Sequence, residues 1–188
     1  MKKLLAIGVA ACAVGLAAPA FAGTVSGEVR NVNSDVGLDS TQYDLGYNTD
    51  VNVGLVGTVN VGAEAEFDDV IYNRSTYSAN VSKKLNLGVA DVSVGAELGM
   101  NNFDAVNVAD AFWGVNAGVS RQVVGPVSAH AEIRHRDSDL LGREDRYGGG
   151  LDYALDSRTT VGVDYQINDT ELGYFDGDSV GVSLKRVL

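Results

Sequence analysis

The chain has 188 residues, with 25 acidic and 14 basic side chains, a formal charge of −11, one cysteine and two prolines. So large an excess of carboxylates is repelled by phosphate backbones, which excludes a nucleic-acid partner. A single thiol, Cys12, excludes a disulfide framework and a thiolate zinc centre.

At the start, Met1-Lys2-Lys3 is positively charged and Leu4 to Leu16 is apolar. Ala18-Pro19-Ala20-Phe21-Ala22 then ends in the small-x-small pattern cut by signal peptidase. Residues 1–22 therefore read as a secretory signal peptide, and 23–188 as one domain. The leader carries Cys12, two lysines and no acid, so the mature chain sets 12 bases against 25 acids, a charge of −13. A lipoprotein reading, with Val9-Ala10-Ala11-Cys12 as the acylation motif, leaves too short a hydrophobic region before the cysteine. Past Gly23 no stretch approaches the roughly 18 apolar residues of a spanning helix.

From there the period is two, the period of strands whose faces meet different surroundings. A first strand is expected over Thr24 to Asn33. In Tyr43 to Val53 the odd positions are Tyr, Leu, Tyr, Thr, Val, Val and the even ones Asp, Gly, Asn, Asp, Asn. The same alternation runs through Val59 to Phe67, Val92 to Met100, Trp113 to Val119, Val127 to His135 and Val161 to Ile167. Ser179 to Leu188 closes the series. Aromatic residues open comparable segments at Tyr43, Tyr77, Trp113 and Tyr147, spaced 34, 36 and 34 residues apart. Each segment breaks once at a short turn: Gly54 to Gly57, Asn86 to Ala90, Val124 to Pro126 and Asp156 to Arg158. Gly, Asn and Asp at these breaks suit turns that need positive φ. Longer acidic links, Asp68 to Arg74, Asp137 to Asp145 and Asp169 to Asp178, join the segments. Four hairpins and two flanking strands predict an all-β, up-and-down antiparallel barrel of ten strands, or eight if a terminal strand fails to form.

Alternation alone leaves open which face points inward. Glycines crowd the polar face at Gly46, Gly62, Gly95, Gly114, Gly118, Gly148, Gly150 and Gly162. Glycine weakens a water-exposed strand, but a narrow lumen filled by charged side chains needs it. Tyr43, Phe67, Tyr77, Trp113, Tyr147 and Tyr165 fall near one end of the strands, as an aromatic belt at a membrane interface would. Lys83, Arg121 and Arg186 fall at the other end, where their stems lie on lipid and their charges reach headgroups. Ten steps from Tyr43 to Val53, at about 3.3 Å each and a tilt of about 40°, span roughly 25 Å, the height of an apolar band. The apolar face is thus expected outward. The alternative is a secreted soluble all-β binding domain with the same residues as its core.

On these features the chain resembles the small outer-membrane β-barrels of double-membraned bacteria, porin-like in pattern over nearly the whole mature length. The resemblance implies an outer-membrane location, contact with outer-membrane lipids, and handling by the barrel-assembly machinery. Ser179-Val180-Gly181-Val182-Ser183-Leu184-Lys185-Arg186 is similar to the C-terminal assembly signal of that class. It departs from it in placing Arg186 at the last apolar site and ending on Leu188.

By parity the lumen holds the acids Glu28, Asp44, Glu64, Glu66, Glu97, Glu132, Asp152 and Asp164 and the bases Arg30, Lys84, Arg134, Arg136 and Lys185. Such charges require pairing or hydration, so a salt-bridged plug is the first expectation and a narrow, cation-preferring water path the second. His130 faces the same lumen beside acids. The enzymatic candidate is His135-Arg136-Asp137-Ser138 with Glu144 as the acid. It is similar to the lipid A deacylase barrels, although their spacing is His-x-Ser and this one is His-x-x-Ser. Asp68-Asp69 with His135 and Asp137 is the weaker parallel to ten-stranded outer-membrane proteases, which are much longer chains. No cofactor and no transition-metal site is expected, while divalent cations at the acidic links remain an expectation. The function expected is a structural or surface-contact role in the outer membrane, with lipid hydrolysis as the alternative.

Overall fold

The computed structural model describes residues 22–37, 39–69, 73–173 and 175–188. The leader and lipoprotein readings fall on residues outside these. Ten strands follow one another: β1 (Thr24–Ser34), β2 (Ser40–Asn52), β3 (Thr58–Asp68), β4 (Arg74–Asn86), β5 (Asp91–Phe103), β6 (Val108–Val124), β7 (Val127–Ser138), β8 (Gly142–Ala154), β9 (Thr159–Thr170) and β10 (Gly177–Val187). Each pairs antiparallel with its neighbours in sequence, and β1 pairs with β10, which closes the barrel. The ten-stranded expectation holds and the eight-stranded alternative does not form.

The wall is staggered. Thr24 at the foot of β1 lines up through Asn48, Gly62, Asn80, Glu97, Gly114, Arg136 and Glu144 with Thr170 at the head of β9. That steady climb is the strand tilt a closed barrel requires. One end, the turn end, carries the short connections after β2, β4, β6 and β8 together with the chain's C-terminus. There Gly88 at φ 82° and Gly125 at φ 51° take backbone conformations that L side chains resist. Asp156 closes the last turn, its Oδ1 accepting the N–H groups of Arg158 and Thr159 at 2.7 and 2.8 Å. The Arg158 N–H holds this carboxyl below the usual carboxylate range.

The opposite, loop end differs from expectation. Of the acidic links, Asp137 to Asp145 is largely strand, and strands also take in Asp68, Arg74, Asp169, Thr170, Gly177 and Asp178 at the ends of the other two. The ladder runs on to Ser138 and resumes at Gly142, leaving only 139–141 as connection. The physical reason is that both faces of a strand are polar once it rises above an apolar band. The alternation then vanishes although the pairing continues.

Burial decides the faces. Leu98, Val182 and Val163 are 68, 61 and 56% exposed, whereas Glu66 and Glu97 are 3 and 4% exposed. The apolar face points outward and the charged face fills the tube, the reverse of a soluble barrel. Among the described residues the buried apolar side chains are Val32, Phe103, Phe112 and Leu141, all towards the loop end.

Candidate functional site

The lumen is the site, and Glu66 on β3 is its centre. It accepts paired hydrogen bonds from Arg146 on β8, Nη1 to Oε1 at 2.8 Å and Nη2 to Oε2 at 2.9 Å. It accepts a second pair from Arg136 on β7, at 3.2 and 3.0 Å, and a further bond from Arg134 at 3.2 Å. In a ring of ten strands β3 and β8 are five steps apart either way round. The Arg146–Glu66 pair therefore crosses the full diameter.

Other charges brace this crossing. Arg136 also bonds Glu97 on β5 at 3.0 and 3.2 Å. Arg146 donates to Glu144 at 2.7 Å, and Arg74 on β4 reaches the same carboxylate at 3.2 Å. Arg134 pairs with Glu64 at 3.2 Å. Four guanidiniums (Arg74, Arg134, Arg136, Arg146) thus face four carboxylates (Glu64, Glu66, Glu97, Glu144). Forked guanidinium–carboxylate bonds fix both partners in orientation. Above the network, Phe112 lies under Arg136 and Phe175 under Arg74, at 4.7 and 4.6 Å from ring centre to guanidinium carbon.

Glycine makes the room, as at Gly114. A Cβ there would stand 2.6 Å from the His135 carbonyl and 2.9 Å from Glu97 Cγ. The backbone atom cannot yield, so Gly114→Val is expected to cost about 1–3 kcal/mol by overpacking. A urea titration of the folded barrel checks this.

Below the network, towards the turn end, the lumen opens into a cavity of about 470 Å³, lined among others by Glu28, Asp44, Glu64, Glu132, Arg134 and Arg146. A second cavity of about 210 Å³ shares Ser26, Glu64, Ser93, Glu132 and Arg134 with it. Together they form a vestibule in the turn half of the lumen. Arg30 on its wall pairs with Glu28 at 2.9 Å and Asp44 at 3.3 Å. His130 bridges Asp152 at 2.9 Å and Asp164 at 2.7 Å, one through each ring nitrogen. Both bonds are donated together only by the imidazolium form. Lys185 adds a bond to Asp152 at 3.1 Å, and Lys84 pairs with Asp91 at 2.8 Å near the mouth.

The structure places the sequence-derived residues as follows. Glu28, Arg30, Asp44, Glu64, Glu66, Lys84, Glu97, Glu132, Arg134, Arg136, Asp152, Asp164 and Lys185 all lie on the inward face. Tyr77, Trp113, Tyr147 and Tyr165 are 46–50% exposed on the outer wall, and Tyr43 stands directly opposite Phe67, which packs edge-on against Tyr77 at 6.0 Å. His135, Ser138 and Glu144 are not brought together. His135 is on the outward face beside Trp113, its Nδ1 2.6 Å from Asp145. Ser138 is on the inward face and accepts the Leu141 N–H, while Glu144 is buried in the network. Arg74 and Arg146 were missed because they lie in or against stretches read as loop. Running the alternation backwards from Tyr77 and Tyr147 would have put both inside. Among the described residues no group of three or more His, Asp or Glu is placed to hold a metal ion.

No protein-family model and no curated protein matches this sequence. Solved structures do match. The KdgM porin in complex with disordered oligogalacturonate superposes with a TM-score of 0.55 at 9% identity, over 88% of this chain and 99% of that one. The KdgM porin alone gives 0.53 at 7%, over 88 and 99%. The β domain of the Bordetella autotransporter BrkA gives 0.54 at 11%, over 89 and 100%. At these identities the likeness is one of fold, and the fold is that of outer-membrane β-barrels.

Proposed function

We propose that this chain is a structural barrel of the outer membrane whose lumen is held shut. Its outer wall contacts lipid, its loop end contacts the surroundings, and the tube itself is a strut. The observation that carries this reading is the doubly forked Glu66, which ties β3 to both β7 and β8 across the diameter. In a barrel of ten strands such a crossing supports a filled section rather than an open channel.

A second reading rests on the vestibule, where acids outnumber permanent cations and Glu132 is exposed to the water space. If ions pass, this lining favours cations. For the same reason an anionic oligosaccharide, such as the oligogalacturonate in complex with the KdgM porin, is not proposed for this chain. Hydrolysis of lipid gains no support from residues on opposite faces of the wall.

Planar-bilayer recording tests the strut. The wild-type barrel is expected to stay silent across salt gradients, and Glu66→Gln combined with Arg146→Gln is expected to show discrete, cation-preferring openings. Steady wild-type conductance would replace the strut with the pore.

A further inference from the structure

We propose that the turn end of the barrel is a docking surface for anionic phospholipid headgroups in the leaflet it faces. The proposal rests on the reading of the wall as lipid-facing. It starts from a separation of charge that the fold creates. In the turn half, the outward strand positions carry Lys83, Arg121 and Arg186 and, among the described residues, no acidic side chain. Arg158 joins them from the β8–β9 turn, next to Arg186, since its carbonyl accepts the Val187 N–H at 2.8 Å.

Lys83 donates one bond to the Val56 carbonyl at 2.8 Å, and the three arginines are less engaged. Arg121, Arg158 and Arg186 are exposed and enter no ion pair among the described residues. The acids of this end have other partners, Asp50 with Asn60, Asp91 with Lys84, and Asp156 with the backbone of its own turn, although Asp156 is also close enough to attract Arg186. The loop half shows the opposite pattern. Asp137, Asp145, Asp169 and Asp178 face outward there, and the nearby cation Arg143 is spent on Asp145 at 3.2 Å.

Distance keeps the two ends independent. They stand roughly 25 Å apart across an apolar band, about three times the screening length of about 8 Å in physiological salt. A phosphate against the outer wall at the turn end therefore meets these cations and lies far from the outward carboxylates of the loop half. Lys83 on β4 and Arg121 on β6 stand on one arc of the rim, and Arg158 and Arg186 together on the other. Cations beside a bilayer attract anionic lipids, with a gain on the order of fivefold per cation engaged.

The test uses the full-length mature barrel in nanodiscs of phosphatidylcholine, with and without phosphatidylglycerol. Heat-modifiable gel mobility in phosphatidylcholine alone first shows insertion; failure there brings down the lipid-facing wall and this proposal together. Native mass spectrometry of the mixed discs then counts retained lipids. The expected result is severalfold enrichment of phosphatidylglycerol over its bulk fraction. That enrichment is lost when Lys83→Gln, Arg121→Gln, Arg158→Gln and Arg186→Gln are combined, while insertion into phosphatidylcholine persists. Should the combined variant not fold, each single substitution must lower the enrichment. Bulk-level phosphatidylglycerol on the wild type, or enrichment untouched in all variants, overturns the proposal.

Discussion

Glu66→Ala is expected to lower the stability of the folded barrel by about 3–5 kcal/mol, the cost of leaving buried charges without their partner. Two guanidiniums, Arg136 and Arg146, would each lose a forked pair, and Arg134 one bond. The remaining carboxylates Glu97 and Glu144 cannot move to compensate, because each is already bonded from its own side. Glu66→Gln should cost less, since the amide oxygen keeps one acceptor while the charge is gone. Urea unfolding in detergent, read by gel mobility, measures both. A Glu66→Ala barrel as stable as the wild type would mean that water already solvates these guanidiniums and that the crossing is not a plug.

Val182→Arg tests the wall in the same way. Val182 lies near the middle of β10, is 61% exposed, and pairs with Val29 and Val163, which are 42 and 56% exposed. In water such a substitution would be close to neutral. At the middle of a bilayer it is expected to cost about 2–4 kcal/mol. The folded fraction in vesicles should fall while folding in detergent micelles, which hydrate the guanidinium more readily, is less affected. Equal folding of variant and wild type in both would show that no lipid lies against this strand.

The legibility of the molecule followed the membrane. Where lipid bounds one face and packed charge the other, each residue's neighbours at two positions reveal its side, and Tyr43 to Val53 or Val161 to Ile167 could be assigned from the alternation alone. Above the band, both faces of Arg143, Asp145 and Asp169 meet polar surroundings, so the period is lost and strand was read as loop. The candidate site suffered in the same place. Glu144 was recognised as a residue of interest but assigned to a serine-type triad, because Asp137 to Asp145 was read as loop, where spacing along the chain does not fix a side. Parity separates His135 from both Ser138 and Glu144 once β7 and β8 are known to continue.

The sequence by itself determined the strand period and the two sets of residues on opposite faces, because each is a local property of an alternating chain. The closure at ten strands and the outward direction of the apolar set came from the structure. Only the tertiary structure decided which charges meet. Glu66 and Arg146 are 80 residues apart, and no local rule pairs them. Closure of β1 on β10 and the tilt of the wall carry them to opposite sides of one narrow section. In that space an unpaired charge costs several kcal/mol, and that cost selects the crossing.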